Sequence, residues 1–356
     1  MSQALKFNHQ GNREFNITLR KRVQQYFKQT GTNKGTGLMY FKIIFYIIGL
    51  ASSYAALMLS TNAWLSVLSW VLVGLFTAFT ALNICHDAIH GSVSKNQRVN
   101  KVLSALFNVI GANDFVWDHS HNKVHHSFTN VQGHDEDVDA IPFVRTSPHQ
   151  ERKKYHRFQT LYAPFFYSLA TISWVFAKDY VKMAQGKIGE SPMNIKRSDV
   201  IRMVSYKLVY YTIFLVLPLI FVPFSWTFVL AGFIISHLVE GFTIGVIFML
   251  AHLVEHVDFP MPDEEGKLDD NWAVHQLKTT ANFAIKNKVI GFLAGGLNFQ
   301  VEHHLFPDVC HVHYPAISQI VEETAKEYDL PYHANKTFVG AVRSHIRFLN
   351  EMGRKA

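Results

Sequence analysis

Four apolar stretches constrain this chain more than any other feature. They run approximately from Leu38 to Leu59, Trp64 to Ile84, Tyr206 to Phe224 and Thr227 to Leu250. Each supplies the roughly 20 residues that a helix needs to cross a bilayer. Short loops around Ser60–Ala63 and Val222–Trp226 pair them into two hairpins, and neither loop holds a Lys or Arg. The N-terminal segment, the long middle region and the C-terminal region carry essentially all the basic residues, which assigns those three to the cytoplasmic side. The expected fold is an all-α membrane protein: four transmembrane helices in two hairpins under a cytosolic helical cap, formed by residues 91–202 and 258–356. Residues 1–36 read as a polar, partly mobile cytosolic tail without the apolar core of a signal peptide.

Composition supports lipid over nucleic acid as the partner surface. Charged residues make up 17% of the chain, below the roughly 25% of soluble domains. The net charge of +7 is spread beside apolar segments, as expected next to anionic head groups. Two further apolar stretches are expected to lie in the membrane interface. Phe158–Ala177 has basic residues on both flanks, Arg152, Lys153, Lys154 and Arg157 before it and Lys178, Lys182 and Lys187 after it. Val102–Trp117 is shorter and is interrupted by Asn108, Asn113 and Asp114. The spacing of Ile317, Ile320, Val321 and Ala325 predicts an amphipathic cap helix over Pro315–Tyr328.

The chemistry lies in the 20 histidines. One cluster is His86-Asp87-Ala88-Ile89-His90, whose two imidazoles share a helix face at a spacing of four. A second is His121-Asn122-Lys123-Val124-His125-His126, and a third is Gln300-Val301-Glu302-His303-His304. His252 stands at the end of the fourth stretch. These eight imidazoles from four segments exceed the four ligands of one zinc ion and suit two metals. Imidazole alone does not choose between iron, copper, nickel and zinc. The two cysteines, Cys85 and Cys310, form no metal motif. Many imidazoles, almost no thiolate and few acids beside a membrane favour redox iron and oxygen chemistry.

From about Leu82 to Pro315 the three boxes resemble those of the membrane fatty acid desaturases. The run Gln300-Val301-Glu302-His303-His304-Leu305-Phe306-Pro307, with Gln in place of an initial His, resembles the front-end group. The resemblance implies a desaturase domain over residues 37–356 and a non-haem di-iron centre of two iron ions. It implies His86, His90, His121, His125, His126, His252, His303 and His304 as ligands, with Gln300 a weak ligand or a neighbour of the metal. The implied reaction uses dioxygen and external electrons to introduce a C=C bond into an acyl chain carried on CoA, lipid or a carrier protein. Two departures stand out. No His-Pro-Gly-Gly motif of a fused cytochrome b5 occurs, so a separate ferredoxin- or cytochrome-type donor is implied. Phe248 stands one helical turn before His252, where relatives carry Asn.

Other residues invite roles around that centre. Asp87 is a candidate to orient a ligand imidazole through the nitrogen that does not bind metal. His237 and Glu240 fall inside a predicted span, where ionisable groups are costly. They are either a hydrogen-bonded pair between helices or part of an acyl tunnel. Gly241 and Gly245 have the spacing of close helix packing. The run His134-Asp135-Glu136-Asp137 reads as a solvated loop, and His119, His149, His156, His275, His311 and His313 as surface residues or neighbours of the ligands. No side-chain acid or base is required to break the C–H bonds, and none is assigned. Three rivals remain: a di-iron lipid or carotenoid hydroxylase or ketolase, a membrane zinc hydrolase using His252-Leu253-Val254-Glu255-His256, and a metal transporter. The gathering of the clusters on one side argues against transport.

Overall fold

The structure is a computed structural model, which describes residues 5–8, 11–136 and 143–355. Among the described residues it is mostly helical, and its three strand pairings involve two residues on each side. Four helices are long and apolar enough to cross a membrane: Gly37–Leu59, Ala63–Ile89, Arg197–Phe221 and Trp226–His252. The second runs past the apolar stretch that ends at Ile84, through a π-helical turn at Ala81–Cys85, and so carries His86 on the spanning helix itself. The third starts earlier than its apolar stretch, at Arg197, because the Asp199 carboxylate accepts the Lys196 N–H and caps a polar first turn.

Burial separates inner from outer helices. About half of the second and fourth is buried (56% and 50%), against 22% of the first and third. Ile44, Phe45 and Ile48 of the first helix and Leu208, Ile220 and Phe221 of the third are exposed apolar side chains, the pattern of a lipid-facing surface. Between the inner pair, the fully buried Trp70 meets Phe233 edge-on, with centroids 6.5 Å apart.

The stretch read as interfacial forms two helices, Lys154–Ser168 and Ala170–Gln185, that meet at 51°. Its bend packs on the fourth span through Gly241 and Gly245. A Cβ added at Gly241 would fall 2.4 Å from the Ser168 carbonyl oxygen, and one at Gly245 would fall 2.9 Å from the Tyr167 Cβ. The glycine spacing therefore serves this contact. The other interrupted stretch folds as short helices, Gln97–Ser104, Leu106–Val109 and Asp114–Trp117.

The amphipathic helix expected over 315–328 is present as Tyr314–Glu327, with Ile317, Val321 and Ala325 buried. Its apolar face corrects the reading of the N-terminal segment. Residues Arg13–Thr30 form a helix whose Phe15, Leu19 and Val23 join the same core. Arg22 donates to Thr324 at 3.0 Å. Phe15, Leu19 and Val23 stand at i, i+4 and i+8 on the docked face, and Tyr26 and Phe27 of the same helix pack against the core as well.

Candidate metal centre

Each histidine cluster is presented by a local helical device. On the second span, His86 and His90 lie one turn apart with ring centroids at 4.8 Å. The second cluster occupies a π-helical segment, Asp118–His125, in which the His126 N–H bonds the His121 carbonyl five residues back. That wider turn brings the Nε2 atoms of His121 and His126 to 3.2 Å. Such turns recur at functional sites. The third cluster sits on the short helix Gln300–Leu305, where positions i, i+3 and i+4 align Gln300, His303 and His304. His252 is the last residue of the fourth span.

The fold gathers all eight imidazoles. His86, His90, His121 and His303 offer nitrogens within 4.8 Å of one another; so do His125, His252 and His304. His126, His303 and His304 form a third, overlapping group that bridges the two. Seven of the eight are buried, His90 being half-buried. The nitrogens fit metal ions on two observations. His90 Nε2 and His303 Nε2 are buried and meet no hydrogen-bond partner among the described residues, a costly condition in the absence of a ligand. The 3.2 Å separations of His121 Nε2 from His86 Nε2 and His126 Nε2 match the roughly 3 Å edge of a polyhedron whose metal–nitrogen bonds are about 2.0–2.1 Å.

Burial holds the rings in the neutral, metal-binding form. It pushes His90, His121, His126, His303 and His304 well below the ordinary histidine value, and the neighbouring imidazoles push further in the same direction.

Several of the nitrogens facing away from the centre are held by specific partners, whereas His86 Nδ1 and His126 Nδ1 meet no hydrogen-bond partner among the described residues. His125 Nδ1–H donates to Asp135 Oδ2 at 2.9 Å, and the Asn130 N–H donates to the same oxygen at 2.9 Å. His304 Nδ1–H donates to Gln276 Oε1 at 2.7 Å, and Gln276 Nε2 donates to the His126 carbonyl at 3.1 Å. His303 Nδ1 lies 3.2 Å from the Tyr314 hydroxyl, and His252 Nδ1 lies 3.4 Å from the Thr279 carbonyl. Trp117 stacks on His121 with centroids at 4.1 Å. The Gln300 amide sits 2.8 Å from His252 Nε2 and 3.3 Å from His304 Nε2, as close as one ligand to the next. Glu302, between these residues in sequence, points away to Asn282 and Tyr332 at 2.8 and 2.9 Å. Burial pushes its carboxyl up to about 7.

A cavity of about 700 Å³ opens beside the centre. His86, His121 and Gln300 contribute to its wall, and Phe107, Ile244 and Phe248 supply apolar surface. Its polar part contains Lys178, Asp179 and the Lys182–Glu136 ion pair. Phe248, at the position where Asn was expected, packs its ring 5.1 Å from His125 and 5.0 Å from His252. A smaller cleft shares Ala81, Phe107, Ala112 and Ile244 with this cavity and reaches Glu240.

His237 and Glu240 separate in role. His237 has both ring nitrogens engaged, Nε2 with the Tyr210 hydroxyl at 2.8 Å and Nδ1 with Thr171 Oγ1 at 3.0 Å, and it lines neither space. Its nearest approach to the Glu240 carboxylate is 3.7 Å.

Several readings of individual residues change. Asp135, expected in a solvated run, is 1% exposed and holds His125; Asp137 lies outside the described residues. Of the histidines expected at the surface or beside the ligands, His149 is exposed, while His119, His156, His275, His311 and His313 are buried, which removes the surface alternative for those five. His256 is exposed in a left-handed conformation (φ 74°) beyond the end of the span. It therefore cannot share a helix face with His252, as the zinc-hydrolase motif requires. Gln276, Asn130 and Tyr314 were not anticipated. They lie in segments without a histidine box, and only the fold brings them to one.

Comparison with known proteins decides the family. A family model for fatty acid desaturases matches residues 62–336, spanning all three boxes. The chain belongs to the fatty acid desaturase family. It is 33% identical to the sn-1 linoleoyl-lipid 6-desaturase of Synechocystis sp., over 99% of both chains. It is 36% identical to an acyl-lipid (8-3)-desaturase of Physcomitrium patens, covering 98% of this chain and 74% of that one. The acyl-lipid (8-3)-desaturase of Mortierella alpina is 32% identical, with 95% and 78% covered. As a member of the family, this chain is an oxidoreductase that desaturates fatty acyl chains, with histidine clusters suited to binding metal.

Proposed function

We propose that the eight imidazoles bind two iron ions and that the chain desaturates an already unsaturated fatty acyl chain esterified in a membrane lipid. The convergence of four histidine-bearing segments on the wall of one largely apolar cavity carries this reading. His86, His90 and His121 would serve one ion and His125, His252 and His304 the other, with His126 and His303 between them and Gln300 beside the second. When bound, the ions would supply the redox chemistry that removes two hydrogens with dioxygen and two external electrons. The lipid-linked substrate follows the names of the relatives, one of which acts on a linoleoyl lipid. The front-end character of the third box favours insertion on the carboxyl side of an existing double bond.

The chain's own part is positional. Phe107, Ile244 and Phe248 offer apolar walls that hold the acyl chain and exclude water, while His86, His121 and Gln300 fix the end at which methylenes meet the metals. Lys178 and the Lys182–Glu136 pair suit the polar part of the lipid. Glu240 lines the adjoining cleft, where it would meet the far part of the chain. His237 supports that region through Tyr210 and Thr171.

The four spans form two hairpins, with residues 37–356 as one desaturase domain; the segments between the second and third spans and after the fourth, which carry His121, His125, His126, His303 and His304, form a cytosolic cap over the span ends that carry His86 and His252. The basic regions on that face suit an acidic, separate electron donor of ferredoxin or cytochrome type. The test is the lipid profile of a desaturase-deficient host that expresses the chain and is supplied with saturated and unsaturated precursors and a donor. A new double bond, absent with a His303→Ala/His304→Ala variant, is expected. A hydroxylated product would move the enzyme to the rival oxygenase class.

A further inference from the structure

The first span carries a lysine that the site described above does not use. Lys42 is 2% exposed, in a helix that otherwise presents much of its surface to lipid. Its Nζ donates to His311 Nε2 at 2.7 Å. The opposite ring nitrogen, His311 Nδ1–H, donates to Asp87 Oδ2 at 2.8 Å, and the His311 backbone N–H donates to the same oxygen at 3.1 Å. The other carboxylate oxygen, Asp87 Oδ1, lies 3.7 Å from His86 Nδ1, longer than a hydrogen bond, and that nitrogen meets no hydrogen-bond partner among the described residues. Hydrogen bonds thus run from the first span, through the segment that follows the third histidine cluster, to Asp87, which is the nearest acid to the back of an imidazole in the first cluster.

Two other uses of this cluster fit less well. Asp87, Cys310 and His311 could converge on a cation, but the Lys42 ammonium, 2.7 Å from the other nitrogen of the His311 ring, already supplies a positive charge there and would repel a second. A proton path would need a wet end. Lys42 and His311 are 2% and 4% exposed, and the ammonium faces the Phe292 ring at 5.0 Å.

We propose that Lys42 and His311 are positioning residues for the metal centre: they neutralise and clamp the Asp87 carboxylate so that it holds His86 by the nitrogen opposite the metal. The ammonium balances the buried carboxylate, and the neutral His311 ring between them fixes the carboxylate's orientation. Two hydrogen bonds to one Asp87 oxygen leave the other oxygen for His86. The chain thereby sets the orientation and basicity of one ligand and, through it, the character of one ion. This inference rests on the di-iron reading.

The test compares iron content, Mössbauer spectra of the reduced protein and thermal stability of the intact chain with those of Lys42→Met, His311→Gln and Lys42→Met/Asp87→Asn. The single variants should bind one of two irons about 10- to 100-fold more weakly and change one of the two iron signals. The double variant removes both buried charges, so it should regain thermal stability over Lys42→Met while the altered signal persists. Two irons with unchanged signals in either single variant would overturn the proposal, whatever their stability. A double variant that regains both stability and signal would also overturn it, because the chain would then be structural only. If Lys42→Met does not fold, His311→Gln and the double variant decide. An intact protein that lacks two irons would sink the di-iron reading instead.

Discussion

Two sets of buried histidines in this protein have opposite kinds of surroundings. At His237, inside the fourth span, both ring nitrogens find hydroxyl partners, Tyr210 and Thr171. His345 is similar, with Nδ1–H donating to the Leu253 carbonyl at 2.6 Å and Nε2 facing the Tyr167 hydroxyl at 3.0 Å. In the clusters, by contrast, His303 is held from behind through Nδ1 by Tyr314 while its buried Nε2 meets no hydrogen-bond partner among the described residues and points to a crowd of imidazoles. A satisfied ring is complete as it stands. A ring held on one side only, among others of its kind, needs a cation to justify its burial.

The comparison breaks most sharply at the third cluster. His303→Ala/His304→Ala should abolish product and lower iron content, because it removes imidazoles from both groups; retained iron would refute the assignment. Metal removal comes next. Stripping metal with a chelator should lower the thermal midpoint, since an ion at 100 times its dissociation constant stabilises the folded state by about 2.7 kcal/mol. A midpoint indifferent to the chelator would leave the clusters without a ligand. Asp135→Asn, which weakens the hold on His125, should cost about 10- to 100-fold in iron affinity, measurable by competition with a chelator. His237→Leu tests the other side of the comparison. It strands the Tyr210 hydroxyl, at a cost of about 1–3 kcal/mol, while Thr171 keeps its bond to the backbone carbonyl of residue 237, and it should leave two irons in place. Loss of iron there would erase the distinction.

A separate effect concerns pH. Burial pushes the His345 imidazole down from 6.5 to about 4. The unfolded chain therefore takes up this proton first, and stability falls as pH drops from 6.5 toward 4. His345→Asn should flatten that part of the stability curve relative to the intact protein.

Spans and boxes were legible in the sequence for simple reasons. Apolar runs of span length announce themselves, and His86/His90 or His303/His304 carry their spacing in a few residues. The helix over Tyr314–Glu327 was readable from Ile317, Val321 and Ala325. What remained hidden was mostly contact between distant segments. Nothing in Asp135-Glu136 says that one carboxylate is buried behind His125, and nothing in Trp272–Thr279 says that Gln276 reaches His304. The π-helical turn at Asp118–His125 was equally hidden, because a histidine at i+5 looks misplaced for an ordinary helix. The N-terminal helix was missed because its docking residues, Phe15, Leu19, Val23, Tyr26 and Phe27, are diluted among polar and charged ones.

The most direct test of the central claim is metal analysis of the purified, detergent-solubilised protein, run beside His303→Ala/His304→Ala. The account predicts two irons per chain in the intact protein and a clear loss in the variant. Zinc in place of iron, or iron content unchanged by the double substitution, would contradict it.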